Sequence, residues 1–250
     1  LQGRIKAVSE AIENLKTRTA AEIAFFEVWN DIRWYLRRVD KPNPKTLKEV
    51  VDVWIRLLAP FIPHICEELW HLLKKEGFVS VAEWPVYDES KVDVAAEESE
   101  DIIRNLMNDT LNIIEATKKA PKRICYYVAA DWKWKVYLEI LRKALSAKVE
   151  MGDAMRSLMK DQELRKKAKE VSAYVGKLLP EINVMPEDQK RRRVKAEKID
   201  EEALLNEAKK LLEREFKAEI LVYNEDDAKR YDPMNRASLA KPYRPAIYIE

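Results

Sequence analysis

A chain of 250 residues, 47% of them hydrophobic, is long enough for one large or two ordinary domains with real cores. Only four glycines argue against a Gly-rich nucleotide-binding fold, and no run approaches the roughly 18 uncharged apolar residues of a membrane span. The formal net charge is only +2, but residues 1–101 hold 14 Lys and Arg against 19 Asp and Glu while the remainder holds 32 against 25, so contacts to phosphate are expected in the second half.

Ile5, Val8, Ile12 and Leu15 recur at helical spacing, and Thr19 with Glu22 reads as a capping box opening a second helix. Phe25, Trp29, Ile32 and Leu36 are its expected buried stripe, with Asn30, Arg33 and Arg37 on the opposite face. Thr46 with Glu49 reads as another capping box, starting a helix whose Val50, Val51, Trp54, Ile55 and Leu58 lead into a break at Pro60 and Pro63. Pro63 suits the first turn of a new helix, where its missing N–H costs nothing. Ile62, Ile65, Cys66, Leu69, Trp70 and Leu73 then form an apolar stripe, and Gly77 stops the helix. Glu67 and Glu68 are adjacent, so they point about 100° apart and do not form an acid/base pair.

Acidic residues 88–101 mark a boundary, after which a connecting helix is predicted from Val94 to Ala120, stopped by Pro121. Ile124–Val128 is a short β-prone run, and Asp131 is placed to cap the next helix. On that helix Trp132 is the expected core residue and Trp134, pointing away from it, the surface candidate for base stacking. Leu164, Ala168, Val171, Val175 and Leu178 mark a further helix. Asp200 opens one carrying Leu204, Ala208, Leu211 and Leu212. Strands are predicted at 220–223 and 246–249, joined by a long loop. The expected organisation is a helical bundle over 1–88, a linker and connecting helix over 89–121, and an α+β domain over 122–250, mainly α overall.

Three basic clusters are candidates for phosphate binding: Lys118, Lys119, Lys122 and Arg123 between helix and strand; Lys190, Arg191, Arg192, Arg193 and Lys195, the densest run; and Lys229, Arg230, Arg236, Lys241 and Arg244 in the last loop. Removing the three arginines of the second run is expected to leave folding almost unchanged. The alternative for each cluster is a solvated charged face. Cys66 and Cys125 with His64 and His71, both histidines on one helix, do not make a spaced zinc site, so no metal is expected. The sequence opens at Leu1 inside a helical pattern without a signal peptide, which is expected of a fragment of a cytoplasmic protein.

The segment Leu58-Ala59-Pro60-Phe61-Ile62-Pro63-His64-Ile65-Cys66-Glu67-Glu68-Leu69-Trp70 resembles the L-A-P-F-x-P-H-x-x-E-E-L-W signature of the helical anticodon-binding bundle of class I aminoacyl-tRNA synthetases of the leucyl, isoleucyl and valyl group. Phe25-Phe26, Asn30–Tyr35, Trp84-Pro85, Trp132-Lys133, Tyr231–Arg236 and the terminal Pro245–Glu250 look like the archaeal type of leucyl-tRNA synthetases. The bundle signature alone leaves the leucyl, isoleucyl and valyl enzymes open, and the lack of a zinc motif together with the final segment favours the leucyl ones. The resemblance implies an anticodon-binding bundle followed by a C-terminal α/β extension that engages the long variable arm of leucine tRNA.

Sites implied for tRNA are the first two basic clusters, Arg33 and Arg37 in the bundle, and Ile249 and Glu250, whose end cannot be held by phosphate but can accept hydrogen bonds from base amino groups. The family's H-I-G-H-type and K-M-S-K-S-type ATP motifs and its editing domain are absent from this sequence. No catalytic residue or cofactor is therefore expected here, ATP and magnesium being used by the parent enzyme. The implied partners are leucine tRNA and the remainder of the synthetase, with no membrane and no DNA. The rivals are a helical protein-interaction scaffold and the tRNA-binding end of an isoleucyl- or valyl-type enzyme.

Overall fold

The structure, a computed structural model, describes residues 1–118 and 120–250, and Lys119 of the first basic cluster lies outside them. It is mainly helical with one small sheet, and it divides into two units, Leu1–Val92 and Asp93–Glu250. Among the described residues no helix is long and apolar enough to cross a membrane.

In the first unit α1 (Gln2–Glu13) buries Ile5, Val8 and Ala11. The second helix starts earlier than the Thr19 capping box, with Lys16 as N-cap and no side-chain cap, and runs as α2 (Thr17–Glu22) through a π-helical stretch, Ile23–Glu27, into α3 (Val28–Arg38). The widened turn shifts the phase of the buried face. Ala20, Ala24 and Val28 are buried, whereas Trp29 and Leu36, expected in the stripe, are exposed. The indole of Trp54 donates to the carbonyl of Ala24 at 2.7 Å, giving that bulged segment a partner from α4 (Pro44–Leu58).

Helix α4 likewise begins three residues before the Thr46 box. Asn43 accepts from the N–H groups of Lys45 and Thr46, and Pro44 occupies the first turn, a stronger start than Thr46 with Glu49. Helix α5 (Pro63–Leu72) opens at Pro63 as expected, and Gly77 follows with φ +68°. Of its stripe Cys66 and Trp70 are buried, while Ile65 and Leu69 are exposed. Glu67 works structurally: its carboxylate accepts from the backbone N–H of Val79 at 2.8 Å and Ser80 at 3.1 Å, and these bonds hold its pKa down against a partial desolvation that opposes them.

The second unit opens with Asp93, whose side chain caps α6 (Val94–Thr117). Helix α6 buries Ile102, Ile103, Leu106, Met107 and Thr110, and it ends at Lys118 in the left-handed conformation, before Pro121. Strand β1 (Arg123–Val128) is central, parallel to β2 (Glu219–Asn224) and antiparallel to β3 (Ala246–Ile249), in the order β2-β1-β3. A parallel pair needs a crossover, and here it is the whole helical layer between the two strands: α7 (Asp131–Lys143), α8 (Met151–Leu158), α9 (Gln162–Lys166), α10 (Ala168–Val184), α11 (Glu187–Ala196) and α12 (Glu201–Phe216). Asp200 caps α12 as expected.

On α7 two expectations are reversed. Ala130 is the N-cap, and Asp131 instead pairs with Lys198 at 2.8 Å. Trp134 is among the most buried large side chains, packed against Tyr137 and Tyr243, while Trp132 is only partly buried, edge-on to Tyr174. Helix α7 is covered on several sides, so the residue facing away from Trp132 meets the final loop rather than solvent.

Candidate nucleic-acid interface

Strand pairing gathers Lys122, Arg123, Ile249 and Glu250 at one end of the sheet. Ile124 faces Ile249 in the register, and the carbonyl of Glu250 accepts from the N–H groups of Lys122 (2.7 Å) and Arg123 (3.0 Å). The Glu250 carboxylate accepts from the Tyr231 hydroxyl at 2.9 Å, and the Arg123 guanidinium lies 5.7 Å from the Tyr231 ring centre. Arg123 also pairs with Glu219 at 2.9 Å. Hydrogen bonding to Glu250 first, then partial desolvation, raises the Tyr231 pKa, so that hydroxyl stays a donor. Lys122 and Lys118 are exposed. Sheet end and helix end thus form an amphoteric patch with an exposed aromatic ring beside it.

The second cluster lies within α11 itself. A helix distributes consecutive residues around its axis, and it sends them to different partners. Lys190 is buried, Arg191 pairs with Glu187, Arg192 approaches Glu98 at 3.1 Å, and Arg193 donates to the Tyr137 hydroxyl at 2.7 Å while stacking 4.2 Å from the Tyr243 ring centre. Burial raises the Glu98 pKa, and the two arginines oppose that shift. Arg192 and Arg193 therefore fasten α11 to α6. Arg191, Arg192 and Lys195 are exposed, but Arg192 is engaged by Glu97, Glu98 and Asp101 of α6, which leaves Arg191 and Lys195 as the candidates for phosphate.

The third cluster is held on a loop that is fixed from beneath. The Lys133 side chain is 5% exposed; its ammonium pairs with Glu225 at 2.8 Å and donates to the carbonyls of Ser238 (2.9 Å) and Ala240 (2.8 Å). Buried Glu201 accepts from the Tyr243 N–H at 2.7 Å, and the Tyr127 hydroxyl donates to the Tyr231 carbonyl at 2.6 Å. Asp232 accepts from the N–H groups of Arg236 and Ala237. On this scaffold Arg236 and Arg244 are exposed and Lys241 is half-buried. Charge spacing marks these cations, but Lys133, which orders them, carries no signal in a sequence where its partners lie about a hundred residues away. In the first unit Arg33 and Arg37 are exposed on one face of α3, at helical spacing and close to its C-terminus.

Cations exposed on both units give the chain a charge distribution suited to contacts with phosphate. Residues 1–126 match the anticodon-binding domain of tRNA ligases, and the chain belongs to that family. Along its whole length it is similar to leucine–tRNA ligases of archaea: 39% identical to that of Pyrococcus abyssi, 41% to that of Pyrococcus horikoshii and 38% to that of Methanococcoides burtonii. It spans 24% of each Pyrococcus protein and 26% of the Methanococcoides one.

Proposed function

We propose that this chain is the tRNA-binding portion of a leucine–tRNA ligase, supplying affinity and selection for leucine tRNA while the remainder of the enzyme activates leucine with ATP and magnesium. The observation that carries this reading is similarity along all 250 residues to archaeal leucine–tRNA ligases, together with a family match in the helical unit. Phosphate contacts are assigned to cations left facing solvent: Lys118, Lys122, Arg191, Lys195, Arg236 and Arg244, with Arg33 and Arg37 on the helical unit. Arg123 and Glu250, already facing Tyr231, are assigned to base and sugar contacts at the sheet end. We assign this end to the long variable arm of leucine tRNA.

Filter binding of leucine tRNA over a salt series tests the reading. Each phosphate contact contributes about 0.7 to 0.9 to the slope of log affinity against log salt, so several contacts give a steep line. A flat line would assign the charged faces to solvent and the chain to a protein scaffold.

A further inference from the structure

Within the second unit, α6, α10 and the turn at 241–244 enclose a cleft of about 300 Å³. Its floor is apolar, built from Leu178, Ile182 and Met185. One wall is rigid, because Arg193 lies flat on Tyr243 and is tied to the Tyr137 hydroxyl. Around the opening stand Asn105 and Asp109 from α6, Glu181 from α10, and Lys241 and Arg244 from the loop. Lys241 pairs with Glu181, and Arg244 Nε lies 3.3 Å from Asp109. Both pairs are open to solvent, and such pairs exchange cheaply for other partners. A second depression continues from the first, sharing Asp109, Lys241 and Arg244 and adding Asn112 and Arg236.

We propose that the cleft takes one unstacked nucleotide of the bound RNA, its base on the apolar floor and its phosphate on Arg244, Lys241 and Arg236. The proposal rests on the tRNA-binding reading above and adds the site and the class of base. A flat apolar slot with hydrogen-bonding groups at its edge and cations at its mouth is how single-stranded bases are held. The carboxylates of Asp109 and Glu181 accept hydrogen bonds. They therefore favour an exocyclic amino group, which adenine, guanine and cytosine carry, over uracil, whose only edge donor is its ring N3–H. The site is at the start of β3, the opposite end of that strand from Ile249 and Glu250.

The test compares the intact chain with Met185→Trp, which fills the slot from a partly exposed position, and Asn105→Ala, which removes an exposed edge group. Both are bound to leucine tRNA, and base accessibility is probed with dimethyl sulfate for A and C, kethoxal for G and a water-soluble carbodiimide for U. The intact chain is expected to protect the pairing edge of one unpaired A, G or C. In both variants that edge becomes reactive again and affinity falls about tenfold, while the salt slope is unchanged because neither residue meets phosphate.

Variants that bind with unchanged affinity and an unchanged protection pattern overturn the slot, and protection of a uridine overturns the assignment of its edge. RNA binding with a steep slope but no dependence on the slot sinks this proposal alone, whereas absence of RNA binding by the intact chain sinks the reading beneath it as well. Circular dichroism checks folding, and if Met185→Trp does not fold, Asn105→Ala decides.

Discussion

Replacing Lys133 by Met removes the ammonium that ties the final loop to α7 and keeps most of the side-chain volume. The pair it forms with Glu225 is shielded, with side-chain exposures of 5% and 13%, and two loop carbonyls, of Ser238 and Ala240, depend on the same nitrogen. Taking away one partner strands Glu225, whose pKa burial already raises. Breaking a buried pair in this way costs about 3 to 5 kcal/mol. Urea unfolding followed by tryptophan fluorescence should show a loss in that range for Lys133→Met. Lys133→Met combined with Glu225→Leu should recover part of it, because the stranded carboxylate is gone. Hydrogen exchange at residues 236–243 should quicken in the single variant. A loss below about 1 kcal/mol, with exchange unchanged, would refute a loop fastened by this lysine.

Glu201 is almost wholly buried, and burial pushes its pKa up to about 7 against the pull of the Tyr243 N–H. Its folded pKa exceeds the unfolded one, so its contribution to stability is complete below about pH 4.5 and is lost as pH rises towards 7, by roughly 3 kcal/mol. Denaturant midpoints across that window should fall in the parent and fall less in Glu201→Gln; parallel curves would remove Glu201 from the account. Arg193→Ala should destabilise the second unit by about 2 to 3 kcal/mol, through loss of a bond to Tyr137 and of a partner for buried Glu98. Arg191→Ala should leave stability within about 0.5 kcal/mol and lower the salt slope, and equal urea midpoints for the two variants would contradict their different placements. Glu250→Ala keeps the backbone bonds to Lys122 and Arg123 that deletion of the last two residues would destroy, so it separates recognition from folding. It should weaken binding to leucine tRNA more than to the same RNA without its variable arm, and equal effects on both would free Glu250 from that role.

Local chemistry made much of the fold legible. Pro63 in a first turn, Asp200 as a cap and the apolar runs at 124–128, 220–223 and 246–249 each act within a few residues of themselves, and they appear where expected. Expectations fail where a distant partner decides, or where two local signals compete. The π-helical turn at Ile23–Glu27 is completed by Trp54, thirty residues on, and it moves Trp29 and Leu36 out of the core. Asn43 with Pro44 outcompetes Thr46 with Glu49 because it offers both a side-chain acceptor and a preset φ. Helical spacing separates Trp132 from Trp134 but does not say which side the last loop will cover. The arginine run was visible as charge, yet its pairing with Glu98, about 95 residues earlier, was not. Removal of Arg192 and Arg193 is thus a structural perturbation, against the expectation that folding would hardly change.

The most direct measurement is equilibrium binding of this chain to a panel of purified tRNAs specific for leucine, isoleucine and valine at one fixed salt concentration. Selection by a tRNA-binding portion of a leucine–tRNA ligase predicts at least about tenfold preference for leucine tRNA, worth about 1.4 kcal/mol. Equal affinity for all three, or preference for isoleucine or valine tRNA, would contradict it.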